Sequence, residues 1–78
     1  MSLTVEQAGT LKGPFRGFKN RQTRFTFSNG VVWRQDEAKY FYFYAANPRA
    51  RVIYKDGVSL LEVDGTDEVV RVVKETNR

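Results

Sequence analysis

The sequence predicts an all-β fold, and three observations support this prediction. Two runs of alternating apolar residues flank Asn29-Gly30, a pair that is the strongest local signal for a β-hairpin. Further turn signals follow at Asp56-Gly57 and Asp64-Gly65, between short runs of valine, leucine and isoleucine. No segment keeps a helical period long enough to predict a helix. We therefore expect a small, strongly bent antiparallel sheet or barrel of about six short strands.

The size and composition predict one domain without covalent or metal cross-links. The chain has 78 residues, no cysteine and no histidine, and aromatic residues make up 14% of it. Because a core of this size is marginal, large aromatic side chains have to supply much of the buried area. We expect a weakly ordered lead-in over 1–9, a single small β-barrel domain over 10–74, SH3-like or related, and a frayed tail over 75–78.

The expected strands follow the apolar runs and end at polar or glycine-containing turns. They cover residues 10–18, 23–27, 31–35, 40–44, 51–55, 59–63 and 69–73. The first of them contains Gly13-Pro14. Proline cannot donate a ladder hydrogen bond, so this strand is expected at an edge or with a bulge. Gly17 interrupts its alternation and predicts a second bend.

The register of the central hairpin follows from its apolar residues. A two-residue Asn29-Gly30 loop would divide them between both sheet faces. A three-residue loop over 28–30 pairs Phe25 with Trp33 and gathers the apolar residues on one face. A loop of this type ends in a glycine bulge, so we expect a positive φ at Gly30 and a Trp33 side chain in the core.

The residue types exclude the commonest catalytic sites. Without histidine and cysteine there is no conventional triad, no thiol nucleophile and no usual zinc site. Asp36-Glu37 and Asp67-Glu68 are carboxylate pairs, but adjacent residues of a strand point to opposite faces, which does not favour a catalytic dyad. No phosphate-binding glycine pattern and no EF-hand spacing occurs. We therefore expect that the protein is not an enzyme and binds neither a cofactor nor a metal ion.

An unbroken aromatic run forms the first candidate binding surface. On a strand, Phe41 and Phe43 would face the core, and Tyr40, Tyr42 and Tyr44 would face outward. Three outward tyrosines could stack on bases, on sugars or on the prolines of a peptide. The alternative is that they cover a second packing surface, since tyrosine is common in strands.

A basic cluster in the first third of the chain is the second candidate surface. The net charge is +4, and residues 25–78 carry equal numbers of basic and acidic groups. The excess positive charge lies in residues 1–24, where Glu6 is the one acidic residue. The basic residues of this part are Lys12, Arg16, Lys19, Arg21 and Arg24. This cluster could contact phosphates, or it could be a solvated face that protects an edge strand from pairing.

Residues 13–35 resemble a family of small bacterial all-β domains of unknown function. The matching residues are Phe25, Phe27, Asn29-Gly30, Trp33, Arg34 and Gln35. Upstream, Phe15-Arg16-Gly17-Phe18 resembles a Phe-x-Gly-Trp motif, with Phe18 in place of the tryptophan. The resemblance implies an all-β fold and, because members often follow a signal peptide, export to the periplasm. It implies no activity and therefore no functional residues.

Taken together, these features predict a non-enzymatic binding or accessory module that acts by protein–protein interaction. The alternative is a small nucleic-acid-binding β-barrel that uses residues 12–24 for phosphates and the tyrosines for stacking. The expected partner is a protein or a second copy of the chain. No apolar run predicts a membrane span. Residues 1–4 lack the features of a signal peptide, so the compartment is periplasmic only if such a peptide was removed, and otherwise cytoplasmic.

Overall fold

The computed structural model describes residues 4–75, which form eight β-strands. The strands are β1 (Thr4–Thr10), β2 (Pro14–Phe15), β3 (Arg24–Thr26), β4 (Val32–Gln35), β5 (Ala45–Ala46), β6 (Arg49–Lys55), β7 (Val58–Val63) and β8 (Val69–Lys74). Six of them form one antiparallel sheet in the order β1-β6-β7-β8-β4-β3, and β2 pairs with β5 in a separate ribbon. Among the described residues there is no helix that could cross a membrane. The predicted all-β class and bent antiparallel sheet are confirmed.

The central hairpin has the predicted register. Phe25 lies opposite Trp33, and Phe27 donates its N–H to the Val31 carbonyl at 2.8 Å. Gly30 closes the loop with a φ of +96° and donates to the Phe27 carbonyl at 2.9 Å. Phe25 and Trp33 are both 4% exposed, so the face that they share is the core face.

Strands β6, β7 and β8 form a meander that supplies the aliphatic half of the core. Asp56 and Gly57 join β6 to β7, with φ values of +52° and +86°, as a two-residue type I′ turn requires. Val52, Leu61 and Val70 lie side by side across the three strands and are fully buried. This row is the centre of the sheet's inner face.

Aromatic rings fill the space between the sheet and the ribbon. The rings of Phe15, Phe18 and Phe25 lie with their centroids 6.0 Å apart in each pair, within the range in which aromatic side chains attract one another. Phe41 and Phe43, in the segment that leads into β5, pack against this cluster. The ribbon therefore covers one side of the core.

The main sheet does not close into the predicted barrel. Its edge strands β1 and β3 do not pair with each other. A single bridge connects the residues that directly follow them, Leu11 after β1 and Phe27 after β3. At this point the Ser28 N–H donates to the Thr10 carbonyl at 2.8 Å. Because β3 has only three residues, most of β1 extends past it without a partner on that side.

The prediction for the first fifteen residues is wrong in its bounds. The lead-in expected over 1–9 is a strand from Thr4 onward, paired with β6. Its residues show no apolar alternation, and pairing with β6 decides their conformation. The chain then bends at Gly13, where φ is +77°. Of the strand expected over 10–18, only Pro14 and Phe15 form a later strand, which is β2.

Gly17 allows the segment after β2 to approach the segment before β5 closely. Phe18 and Phe41 exchange two backbone hydrogen bonds of 2.7 and 2.8 Å. A Cβ atom on Gly17 would lie 2.0 Å from the Phe41 carbonyl oxygen and 2.9 Å from the Phe43 nitrogen. Gly17 also has a φ of +93°, a conformation that residues with a Cβ rarely adopt. The contact therefore requires glycine.

We expect Gly17→Ala to lower the free energy of unfolding by at least about 2 kcal/mol, because it combines strain in φ with a backbone clash. Gly30→Ala is the matched control. It has a similar φ but no atom within 4 Å of the added Cβ, so it should cost about 1 kcal/mol. Urea unfolding followed by Trp33 fluorescence measures both. Equal losses would show that the close approach is unimportant.

Candidate functional site

Tyr40, Tyr42 and Tyr44, hereafter the tyrosine row, all point to solvent. They are 73%, 60% and 55% exposed, whereas Phe41 and Phe43 between them are partly buried against the core. The alternation is thus the predicted one, but the segment is not a regular strand. Among the described residues only Phe41 of this run has a bridge partner. The neighbouring strand β2 ends at Phe15, so no ladder accompanies the row.

The chain between Arg16 and Gln22, hereafter the basic turn, is held by its own polar residues. Asn20 donates its N–H to the Thr23 hydroxyl at 3.1 Å, and its side-chain oxygen accepts from the Gln22 N–H at 2.8 Å. Such local side-chain bonds fix a tight turn without burying it. Lys19 and Arg21 are exposed as a result.

The amide of Gln35 connects the basic turn to the chain that leads into the tyrosine row. Gln35 lies on β4, in phase with Trp33, and is 0% exposed. Its Oε1 accepts from the Lys19 N–H at 3.1 Å, and its Nε2 donates to the carbonyls of Glu37 and Lys39 at 2.9 and 2.8 Å. Together with the bridge between Phe18 and Phe41, this side chain fixes the basic turn relative to the tyrosine row.

Between these two segments lies an open depression of about 620 Å³. Its lining is basic, polar and aromatic, without an acidic residue: Lys19, Asn20, Arg21, Gln22, Ala38, Lys39 and Tyr40. A second depression of about 340 Å³ on the other side of the turn includes Arg16 and Lys19 and is also free of acidic residues. The structure thus brings part of the predicted basic cluster next to the first tyrosine of the row.

Two of the predicted cations are not available on this face. Arg24 lines the second depression, but it donates from Nε to Glu75 at 2.6 Å, so its charge is already paired. Lys12 shares a small cavity of about 40 Å³ with Arg24 and lines neither of the two depressions. Arg16, Lys19 and Arg21 remain, and their charged groups have no hydrogen-bond or ion-pair partner among residues 4–75.

Residues 64–68, hereafter the acidic loop, approach the tyrosine row from another side. Gly65 lies so close to Phe43 that a Cβ on it would be 2.8 Å from the ring. Lys39 bonds to Glu68 at 3.1 Å and to the Val69 carbonyl at 2.5 Å, which ties the start of the row to this loop. The second contact brings one carboxylate, that of Glu68, to the start of the row, where it is paired with Lys39.

The carboxylates of the described residues form no cluster that could hold a metal ion. Glu37 accepts from the Arg71 N–H at 2.8 Å, and Glu68 pairs with Lys39. No group of three potential metal ligands comes together in residues 4–75. The pKa of Glu75 is lowered by the hydrogen bond from Arg24 and further by Arg34, against an opposing effect of burial. This carboxylate acts as an ion-pair partner.

Sequence patterns pointed to the tyrosines and cations but missed Gln35 and Glu75. Gln35 falls on the inward phase of β4, two residues after Trp33, and a polar residue at such a position is a signal for a buried, fully bonded amide. Glu75 was expected in a frayed tail, yet its N–H donates to the Val32 carbonyl at 2.8 Å. Nothing in the local pattern predicts that contact, while 76–78 lie outside the described residues.

Gln35→Leu should lower the free energy of unfolding by about 1–3 kcal/mol, because it leaves one buried donor and two acceptors without partners. Amide hydrogen exchange at Lys19 should become faster at the same time. Gln22→Leu is the control, since the Gln22 side chain is exposed on the basic turn. Unchanged protection at Lys19 in Gln35→Leu would contradict this role of the amide.

We expect the Glu75 carboxylate to make a contribution to the free energy of unfolding that is lost in acid. Because its pKa is lower in the folded state, the contribution is present above the pKa of the unfolded state and is lost as the pH falls through the folded value. We expect Glu75→Gln to reduce the difference in urea midpoint between neutral pH and about pH 3. The same reduction in wild type at high salt would agree, since an exposed ion pair is screened. An unchanged difference in the variant would exclude this role.

A comparison of the chain with protein-family models, curated proteins and solved structures finds no match. The resemblance of residues 13–35 to small bacterial β-domains stays a prediction, and the function is argued from the geometry above.

Proposed function

We propose that this chain is a non-enzymatic binding module whose partner is a protein. The observation that carries the proposal is the tyrosine row, three large side chains that are more than half exposed in a fold that buries its other aromatic rings more deeply. Tyrosine contributes much contact area at a small cost in conformational entropy and is enriched among the residues that dominate binding energy. The binding face consists of the row and the adjacent Arg16, Lys19 and Arg21.

The distribution of charge favours a protein over a nucleic acid. A single strand of nucleic acid needs a basic groove along the stacked bases. Here the basic turn borders the start of the tyrosine row, Glu68 is bound to Lys39 at that point, and residues 40–46 carry no charge. Of the residues expected to contact phosphates, Arg24 is paired with Glu75. A protein segment with acidic groups toward the basic turn fits this face better than a uniform polyanion.

Selection of a displayed library of random peptides on the intact chain, followed by fluorescence anisotropy of the enriched peptides, tests the proposal. We expect enriched peptides to carry acidic residues, and Tyr42→Ala to weaken their binding by at least about tenfold, the effect of losing one dominant contact. Tyr54→Ala is the matched control, because Tyr54 is 43% exposed but lies on β6. Equal affinity for Tyr42→Ala and wild type would refute the proposed face.

Titration with a labelled single-stranded oligonucleotide at two salt concentrations distinguishes this proposal from nucleic-acid binding. The protein proposal expects weak binding that disappears at the higher salt and does not depend on Tyr42. Tight binding with a steep salt dependence that Tyr42→Ala and Arg21→Glu both reduce would support the nucleic-acid alternative instead.

A further inference from the structure

The sheet has one free edge, along β1. β1 pairs with β6 over Thr4–Thr10. On its other side, as far as residues 4–75 are concerned, only the Thr10 carbonyl is bonded, to Ser28. Within the described part of the chain, no strand lies beside that edge between Thr4 and Gly9. Unpaired backbone groups along an edge are a template for a further strand.

The opposite edge of the sheet is closed to such pairing. β3 has three residues, its Arg24 is held by Glu75, and its Thr26 carbonyl accepts from Lys12 at 2.8 Å. β1 lacks the usual protection by lysine or proline. Its one charged residue, Glu6, is the additional residue of a bulge, and its carboxylate accepts from the Ser59 hydroxyl at 2.6 Å. The bulge therefore engages the only charge of the edge in a bond within the same chain.

The bulge also makes the edge compatible with a copy of itself. Val5 pairs with Ile53 and Ala8 with Arg51. Ile53 and Arg51 are two residues apart on β6, so Val5 and Ala8 lie on the same, outer face of the sheet. In an antiparallel pairing about a two-fold axis between Glu6 and Gln7, Val5 of each copy lies opposite Ala8 of the other.

We propose that the β1 edge binds a second copy of this chain in an antiparallel, two-fold symmetric pair that continues the sheet. The pairing covers Val5, which is 54% exposed and lies in a row with Ile53 and Leu60 on the outer face. It sets Glu6 opposite Gln7 of the second copy, so the two glutamates do not lie directly opposite each other. A closed two-fold pair uses up the free edge of both chains and does not extend into a fibre.

Sedimentation equilibrium of the intact chain from about 10 µM to about 1 mM tests this pairing, which is expected to be weak because the contact is short. The mass should rise toward twice the monomer value with concentration. Ala8→Lys should keep it at the monomer value throughout, because the lysine lies opposite Val5 of the second copy. Gln22→Lys, which adds the same charge on the exposed basic turn, should associate as wild type does.

Two outcomes would overturn the proposal: a wild-type mass that stays monomeric at the highest concentration, or association of Ala8→Lys with unchanged affinity. If Ala8→Lys does not fold, as judged by Trp33 fluorescence, Val5→Lys, which is also at an exposed position, replaces it with the same expectation. Tyr42→Ala should associate as wild type does, so the result is independent of the proposed binding face.

Discussion

The side-chain amide of Gln35 is fully buried, and three chain segments meet at it. A buried amide without partners would be costly, but here the oxygen accepts one hydrogen bond and the nitrogen donates two. The sheet supplies Gln35 through β4, while Lys19 and Lys39 belong to the two segments that frame the proposed face. The position of the basic turn relative to the tyrosines thus depends on a group in the core. Rigid support of this kind suits a binding surface built mainly on irregular chain.

Ion pairs neutralise four cations among residues 4–75, and none of the four lies on the basic turn. Arg24 and Arg34 share Glu75, Arg51 pairs with Glu62 and Lys39 with Glu68. Exposed pairs of this kind contribute little to stability. Their larger effect is on recognition, because they leave the basic turn as a distinct positive region beside the tyrosines. On the proposed binding face, a partner would then be selected by the unpaired cations of the basic turn.

Local patterns predicted the elements whose conformation is decided locally. The hairpin register followed from the apolar phase of Phe25 and Trp33, and the positive φ of Gly30 from the loop length that this phase requires. β1 could not be predicted in this way, because its Thr-Val-Glu-Gln sequence has no alternation and its pairing depends on β6, about fifty residues later. The barrel was predicted from bent, glycine-containing strands, but closure depends on the length of β3, which a pattern does not determine.

The five residues from Tyr40 to Tyr44 belong to the interior and to the surface in strict alternation. Phe41 and Phe43 complete the core, and the three tyrosines contribute little to it. Substitutions in this short segment therefore separate into two kinds. At the phenylalanine positions they would compromise folding, whereas at the tyrosine positions they could alter partner choice with little loss of stability. The segment offers evolution, or an engineer, a way to change specificity on an unchanged scaffold.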